Sequence, residues 1–167
     1  KPGDAVFAST VAVNFGGYAE YKCLPEDGVI AVKPANLSDG EAAALVGAGM
    51  TAWRCLQKGR IQPGQKVLIY GASGAVGTNA VQLASRRFGA DVTGVCSGAN
   101  LELVRSLGAS QALDYTRQDF TANGARYDVI VDGVGNAAFE KVEASINPGG
   151  ALLLVICDLR GMLRSRG

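Results

Sequence analysis

The feature that most constrains this chain is a short apolar run followed by closely spaced glycines. Residues 67–70 read Val-Leu-Ile-Tyr, the composition of a strand covered on both faces of a parallel sheet. Glycines at 71, 74 and 77 follow, and the apolar spacing of residues 76–88 predicts a helix directly after them. A strand, a glycine turn and a helix in this order aim unpaired backbone N–H groups and the positive helix end at one point. This arrangement fits a pyrophosphate.

The glycine turn has two interpretations. Read as Gly-x-Gly-x-x-Gly, it departs from the pattern because Ala72 stands at the first glycine, while Gly74 would let the backbone approach the phosphates and Gly77 would let the helix pack closely on the strand. The alternative is a tight strand-to-helix connection that binds nothing. The placement between a predicted strand and a predicted helix favours the nucleotide. The predicted phosphate-binding residues are Ala72, Ser73, Gly74, Ala75, Val76 and Gly77.

From residue 67 onward, predicted strands and helices alternate. Such alternation predicts an α/β fold, with a doubly wound parallel sheet and helices on both of its faces. The expected strand order is 3-2-1-4-5, with the ligand at the switch between the first and fourth strands. The predicted strands are 67–70, 91–96, 111–114, 129–132 and 151–156, and the predicted helices are 76–88, 100–107 and 138–146.

The first 45 residues have a different pattern, in which short apolar runs alternate with turns. Ser38-x-x-Glu41 forms a capping box, which predicts the start of a helix. The strands predicted here are 6–13, 18–24 and 29–32, and the helices that follow are 42–46 and 50–58.

We therefore expect three segments: part of a β-rich domain over 1–45, a nucleotide-binding domain over 46–157, and a tail over 158–167. The second segment lacks the sixth strand of a full dinucleotide fold. The tail carries arginines at 160, 164 and 166, which we expect on a solvated helix face. The missing strand, and a chain that opens within a predicted sheet, lead us to expect a fragment of a larger protein.

Charge and residue usage exclude several classes of function. Lysine plus arginine number 16 and aspartate plus glutamate 15, so neither nucleic acid nor an anionic membrane surface is an expected partner. No apolar run approaches the roughly 20 residues of a membrane helix. The first residues do not read as a signal segment, so we predict a cytoplasmic location with free thiols. The four cysteines show no metal-ligand spacing and histidine is absent, so we expect no zinc and no imidazole chemistry.

The end of the second strand of the sheet bears on the choice of nucleotide. NAD-binding folds place an acidic residue about 20 residues past the glycine turn, on the ribose hydroxyls. This chain has Ser97, Gly98, Ala99 and Asn100 there, and no acid. Small hydroxyl and amide groups leave room for a 2′-phosphate, which favours NADPH over NADH. The same residues also suit a plain strand end with Ser97 or Asn100 at the N-cap of the next helix, and the two interpretations are compatible.

Several sequence blocks follow one another along nearly the whole chain: AVKP at 31–34, GMTA at 49–52, IQPGQKVLI at 61–69, GASGAVG at 71–77, LGA at 107–109, DY at 114–115 and NPGG at 147–150. In this order they resemble the zinc-free quinone oxidoreductase branch of the medium-chain dehydrogenases/reductases. The resemblance implies a Rossmann-type sheet preceded by part of a GroES-like β-rich catalytic domain. In that family the glycine turn is usually Ala-x-x-Gly-x-x-Gly, which the turn of this chain matches.

The resemblance also implies contacts on the adenosine side of a cofactor. Residues 73–76 would cradle the pyrophosphate, and Ser97 with Gly98 would border the adenosine ribose. Tyr115 matches a tyrosine that lies beside the 2′-phosphate in NADPH-using members. The alternative for Tyr115 is a half-buried aromatic residue at a strand end.

On the nicotinamide side, Thr51 matches a residue near the nicotinamide. The alternative is an ordinary helix threonine, which Gly47 and Gly49 disfavour because they leave room for a close approach. Val134 and Gly135 would border the nicotinamide ribose. Zinc-dependent relatives carry a cysteine ligand where Gly47 stands, so the resemblance implies no zinc. The family's substrate-side residues have no counterpart in this chain, and we assign no catalytic residue.

Together these expectations describe an NADPH-dependent, zinc-independent oxidoreductase. Its partner would be a small electrophile, a quinone or an α,β-unsaturated carbonyl, that accepts hydride. The family further implies a homodimer of the full-length protein. The alternative is an NAD(P)H-binding or redox-sensing module without turnover.

Overall fold

The computed structural model describes residues 1–156. The predicted tail over 158–167, with its three arginines, lies outside the described residues. The chain divides into two compact units, Lys1–Met50 and a second that begins at Thr51. The assignment of the first unit to a GroES-like domain stays a prediction.

The first unit contains a two-stranded antiparallel ladder. β1 (Val6–Ala8) pairs with β2 (Ile30–Val32). The strand predicted over 6–13 is too long, because a 3-10 turn, Val11–Val13, follows β1. Asn14 then takes a left-handed conformation with φ of 58°, which redirects the chain away from the ladder.

The strand predicted over residues 18–24 does not form. Tyr18 and Tyr21 are fully exposed in this segment. A strand needs a neighbour to complete its ladder and a surface that buries its apolar side chains. The segment pairs with no strand among residues 1–156, so its apolar content alone gave a wrong prediction.

A capping box starts the helix of the first unit, as predicted. α1 (Asp39–Ala44) follows Ser38, whose N–H donates to Glu41 Oε2 over 2.8 Å. The Glu41 N–H donates in return to Ser38 Oγ over 3.3 Å. These two bonds satisfy donors that a helix N-terminus otherwise leaves unpaired. A π-helical turn, Leu45–Gly49, follows α1.

The second unit contains a five-stranded parallel sheet. Its strands are β3 (Lys66–Tyr70), β4 (Asp91–Cys96), β5 (Gln111–Asp114), β6 (Tyr127–Asp132) and β7 (Ile146–Leu154). They lie side by side in the order β5-β4-β3-β6-β7, and each neighbouring pair is parallel. Numbered within the sheet, this order is 3-2-1-4-5, so the predicted doubly wound α/β fold is confirmed.

The central strand β3 is buried on both faces, as its unbroken apolar run predicts. Val67 and Ile69 belong to one apolar core and Leu68 to the other. Successive strand residues point to opposite faces, so each face of the sheet has its own core. Fully burying one such side chain contributes about 1.5–3 kcal/mol. The glycine turn therefore follows a strand whose middle three residues are fully buried.

Helices close both cores. They are α2 (Met50–Lys58), α3 (Ala75–Gln82), α4 (Leu101–Ser106) and α5 (Phe139–Val142). Val81 of α3 and Val104 of α4 lie in the core that contains Val67, whereas Val142 of α5 lies in the core that contains Leu68. None of the helices in residues 1–156 is long and apolar enough to cross a membrane.

The last predicted helix is too long and the last predicted strand begins too late. α5 gives way to a 3-10 turn, Glu143–Ser145, and Ile146 already pairs with Tyr127 of β6. The register of β7 on β6 then shifts, and Gly149 takes φ of +79° within the irregularity. The Pro-Gly-Gly stretch therefore bends a continuing strand instead of preceding one. This is why the helix prediction over 138–146 is wrong at its end.

Candidate functional site

The glycine turn at the end of β3 is held by its own backbone. Gly71 has φ of +83°, a left-handed conformation that glycine adopts without steric cost. The N–H groups of Gly71 and Ala72 both donate to the Val95 carbonyl, over 3.0 and 2.9 Å. The Gly74 N–H donates to the Gly71 carbonyl over 3.0 Å. Gly71 is thus the glycine that makes the turn, and Ala72 is a buried residue whose amide is already paired.

Other amides of the same turn have no partner within the described chain. The Thr78 N–H makes the first helical bond, to the Gly74 carbonyl over 2.8 Å. The N–H groups before it that donate to no described residue are those of Ser73, Ala75, Val76 and Gly77. Such groups, together with the positive end of the dipole of α3, attract an anion. The turn therefore offers the donors that a pyrophosphate requires.

The two later glycines of the turn differ in what they permit. A Cβ at Gly77 would overlap the Gly71 carbonyl oxygen and lie 2.8 Å from backbone carbons of Ala72, so glycine is needed there for α3 to pack against the turn. A Cβ at Gly74 would lie 3.3 Å from the Gly71 oxygen. Gly74 has φ of −75° and ψ of 171°, which any residue adopts. Folding alone therefore requires glycine at 77 far more than at 74.

The turn after β4 is held by side chains. Asn100 Nδ2 donates to Ser97 Oγ over 2.9 Å and to Ser73 Oγ over 3.4 Å. Ser97 precedes a 3-10 turn, Gly98–Asn100, that leads into α4. Ser97 and Asn100 both occupy N-cap positions, but neither side chain caps the helix backbone. Their polar groups instead join the turn after β4 to the glycine turn after β3.

The turn after β4 contains no acidic residue of its own, but an acidic side chain from the neighbouring strand lies beneath it. Asp114 ends the neighbouring strand β5, and a Cβ at Gly98 would lie 2.6 Å from Asp114 Oδ2. Asp114 Oδ1 accepts bonds from the Thr116 N–H over 2.9 Å and the Thr116 hydroxyl over 2.7 Å. These two bonds, with smaller effects of Arg117 and the Gly98 N–H, hold the pKa of Asp114 below its ordinary value. The carboxylate is therefore ionised and supports the turn from below.

The loop after β6 is ordered by one buried carboxylate. Asp132 is fully buried at the end of the strand. Its Oδ1 accepts from the N–H groups of Val134 and Gly135 over 2.8 and 2.9 Å, and its Oδ2 accepts from the Ala137 N–H over 2.8 Å. Three charge-assisted bonds therefore fix this loop. The signal in the sequence is an acid that ends an apolar strand and precedes Gly133, which our sequence prediction did not use.

The three turns border one cavity at the carboxyl ends of the strands. It has a volume of about 310 Å³ and brings together four predicted site residues, Ser73, Ser97, Tyr115 and Val134. Its other lining residues are Tyr70, Gly71, Val95, Cys96 and Asn136. The cavity lies where a doubly wound sheet is expected to bind its ligand, beside the switch between β3 and β6.

A second cavity, of about 660 Å³, has aromatic walls and shares Tyr70, Tyr115 and Asn136 with the first. The rings of Tyr70 and Phe120 pack with their centroids 5.6 Å apart. Tyr115 is 56% exposed and lines both cavities, so it presents its ring to them instead of to an apolar core.

The remaining predicted site residues do not line either cavity. Thr51 is exposed in the first turn of α2. Gly98 lies above Asp114, and Gly135, with φ of +89°, belongs to the loop that Asp132 orders. The predicted residues Ala72, Gly74, Ala75, Val76 and Gly77 also lie outside both linings, so Ser73 is the one predicted residue of the glycine turn that lines the first cavity.

Metal donors do not converge in the part of the chain that the structure describes. No group of three His, Cys, Asp or Glu side chains there is placed to hold an ion, so the residues present do not fit zinc. Cys96 lines the first cavity, but burial, and next the Asp114 carboxylate, raise the pKa of its thiol. Cys96 therefore stays protonated at neutral pH and is not an activated thiol.

Known proteins are similar to this chain in sequence and in architecture. Residues 75–157 match the family model described as zinc-binding dehydrogenase. The chain is 40% identical over 162 residues to the 2-methylene-furan-3-one reductase of Solanum lycopersicum, covering 93% of this chain and 41% of that protein. It is 35% identical over 160 residues to the chloroplastic NADPH-dependent alkenal/one oxidoreductase of Arabidopsis thaliana, covering 92% and 41%.

A solved structure gives the same result. The quinone oxidoreductase from Coxiella burnetii superposes with a TM-score of 0.69 at 32% identity, over 74% of this chain and 39% of that one. The chain belongs to the medium-chain dehydrogenase/reductase superfamily, in its quinone oxidoreductase-like branch. It spans about two fifths of the length of these relatives. A cytoplasmic location stays a prediction, since the relative from Arabidopsis is chloroplastic by name.

Proposed function

We propose that this chain forms the cofactor-binding part of an NADPH-dependent, zinc-independent oxidoreductase that transfers hydride to a quinone or an α,β-unsaturated carbonyl. The observation that carries the proposal is the set of unpaired amides in the glycine turn, beside a cavity that Ser73 and Ser97 line. The names of two relatives, an NADPH-dependent alkenal/one oxidoreductase and a quinone oxidoreductase, support the reaction class.

The three turns would bind successive parts of the cofactor. The glycine turn donates backbone N–H groups to the diphosphate. The turn at Ser97 borders the adenosine ribose, and the loop held by Asp132 borders the nicotinamide ribose through Val134 and Gly135. The bound nicotinamide supplies the hydride, so the task of these residues is to hold it in one place and orientation. We assign no catalytic residue within this chain.

The preference for NADPH rests on the surroundings of Ser97. No carboxylate lines the cavity beside its hydroxyl, and the Asp114 carboxylate lies below the turn, where it accepts bonds from Thr116. Replacing Ser97 by Asp should weaken NADPH binding by about tenfold or more relative to NADH, through repulsion of the 2′-phosphate. Ser97→Asn is the matched control, because asparagine has the shape of aspartate without its charge. Equal affinity of the parent protein for both nucleotides would contradict the preference.

Zinc independence rests on the donor set. The chain has no histidine, and Gly47 stands where zinc-dependent relatives have a cysteine ligand. An enone or a quinone accepts hydride without a metal when its oxygen is hydrogen-bonded. Activity of the full-length protein should therefore survive dialysis against a chelator, with metal content measured on the same sample. Loss of activity that added zinc restores would contradict this part of the proposal.

The reaction itself is tested in two steps. NADPH is first titrated into the protein and followed by its fluorescence, and its oxidation is then measured with a quinone and with an enal on the full-length protein. Turnover with either acceptor supports the proposal, and binding without oxidation supports the alternative of a cofactor-binding module. The protonated state of Cys96 argues against thiol-based redox sensing by that residue. The homodimer stays a prediction, to be measured by the mass of the protein in solution.

A further inference from the structure

We infer that Asn100 is a positioning residue that makes Ser73 and Ser97 hydrogen-bond donors toward the cofactor, and thereby favours a nucleotide with a 2′-phosphate. The inference rests on the proposed function, because it concerns the same cavity. Asn100 connects the turn after β4 to the glycine turn after β3, through two bonds from one amide nitrogen.

The direction of these two bonds carries the argument. Asn100 Nδ2 donates to both hydroxyl oxygens, over 2.9 Å to Ser97 and 3.4 Å to Ser73. A serine hydroxyl has one proton to donate and two lone pairs to accept with. Since each oxygen already accepts a bond from Asn100, each keeps its own proton for another acceptor. Neither hydroxyl donates to any residue within 1–156.

The location of the three side chains shows where those protons are available. Ser73 and Ser97 both line the cavity of about 310 Å³, whereas Asn100 is partly buried and is not part of that lining. Asn100 therefore acts from behind the two hydroxyls. An amide that instead accepted bonds from these serines would turn their protons away from the cavity.

Hydroxyls that keep a free proton beside the cavity respond differently to the two forms of the nucleotide. A phosphate oxygen only accepts hydrogen bonds, whereas a ribose hydroxyl both donates and accepts. A bond to a charged acceptor is also stronger than one to a neutral acceptor. The free proton of the Ser97 hydroxyl therefore makes a stronger bond to a charged 2′-phosphate than to a neutral 2′-hydroxyl. The Ser73 hydroxyl, beside the glycine turn, would serve the phosphates that both nucleotides share.

The test compares two adenosine probes that differ only at the 2′ position, 2′,5′-ADP and 5′-AMP. Their affinities are measured by calorimetry for the parent chain, Asn100→Ala, Ser97→Ala and the double variant. Asn100→Ala should lower the affinity for 2′,5′-ADP by about tenfold, which corresponds to one hydrogen bond to a charged acceptor. The affinity for 5′-AMP should fall by clearly less. In the Ser97→Ala background the extra loss for 2′,5′-ADP should largely disappear, because the two residues act as one unit.

Two further variants make the result decisive. Asn100→Asp has the same shape but accepts only and adds a negative charge, so through both effects it should lose 2′,5′-ADP binding more strongly than Asn100→Ala does. Asn123→Ala is the matched control, because Asn123 makes only a local bond, from the Ala125 N–H over 2.9 Å in an exposed loop, and binding should not change.

The possible outcomes are distinct. Equal losses for both probes, additive effects of the two single variants, or retained 2′,5′-ADP binding in Asn100→Asp would overturn the role of Asn100 while the proposed function stands. A parent chain that binds neither probe would overturn the proposed function, and the inference with it. A reduced ratio of the two affinities, with strong coupling between Asn100 and Ser97, is the result we expect.

Discussion

The turn after β3 and the turn after β4 border the same cavity but are built in different ways. In the first, the backbone sets the conformation: Gly71 is left-handed, and its N–H and that of Ala72 share the Val95 carbonyl. In the second, side chains set it, because Asn100 joins Ser97 to the glycine turn and Asp114 lies below. The first turn offers unpaired amides next to the cavity, and the second places the Ser97 hydroxyl in its lining.

The difference predicts how each turn responds to substitution. A turn fixed by its backbone has little tolerance for a side chain where two main-chain segments touch, because the backbone cannot move aside. A turn fixed by side-chain hydrogen bonds should lose them one at a time, with smaller effects on folding and larger effects on which ligand is preferred.

The largest effect is expected at the contact between α3 and the glycine turn. Gly77→Ala places a Cβ against the Gly71 carbonyl and the Ala72 backbone. We expect a loss of about 3 kcal/mol in the free energy of unfolding, at the upper end of the usual cost of overpacking. Urea unfolding measures it. Gly40→Ala is the control: Gly40 lies in α1 with nothing near its Cβ position, and alanine there should add up to about 1 kcal/mol.

A smaller effect on folding, with a large effect on binding, is expected at Gly74. Gly74→Val keeps an allowed backbone conformation, and its Cβ would lie 3.3 Å from the Gly71 oxygen, a tight contact but far less severe than the one at Gly77. The side chain would stand at the edge of the unpaired amides, so NADPH affinity should fall by about a hundredfold or more. Fluorescence titration measures the affinity. Unchanged affinity, with unfolding also unchanged, would sink the assignment of this turn to the diphosphate, whereas Gly40→Val should bind as the parent does.

The smallest effect is expected beneath the turn after β4. The pKa of Asp114 in the folded chain is lowered from its ordinary value of 3.8, mainly by Thr116. Its contribution to stability is therefore complete above that value and is lost as the pH falls through the lowered pKa. Asp114→Asn should be less stable than the parent at neutral pH, and the gap should close in strong acid. A gap that does not change with pH would show that the charge of Asp114 is not involved.

The features that could be predicted from the sequence are mostly those of the backbone, and the ones that could not are mostly contacts between side chains. Strand β3, the glycine turn and the order of the sheet could be predicted, because each depends on residues close together in the chain or on the regular alternation of elements. The bond from Asn100 to Ser73 and the approach of Asp114 to Gly98 could not, because in each case the two residues lie on different turns and strands. The error at 18–24 has a related cause, since a strand depends on a neighbour that its own residues do not specify.

The central claim concerns the unpaired amides of the glycine turn, and an amide-resolved NMR titration with NADPH tests it most directly. The account predicts saturable shifts at the amides of Ser73, Ala75, Val76 and Gly77. The paired amides of Gly71 and Ala72, which already donate to Val95, should shift less. If these four amide signals do not shift while other signals of the protein reach saturation with NADPH, or if no signal shifts at all, the account is contradicted.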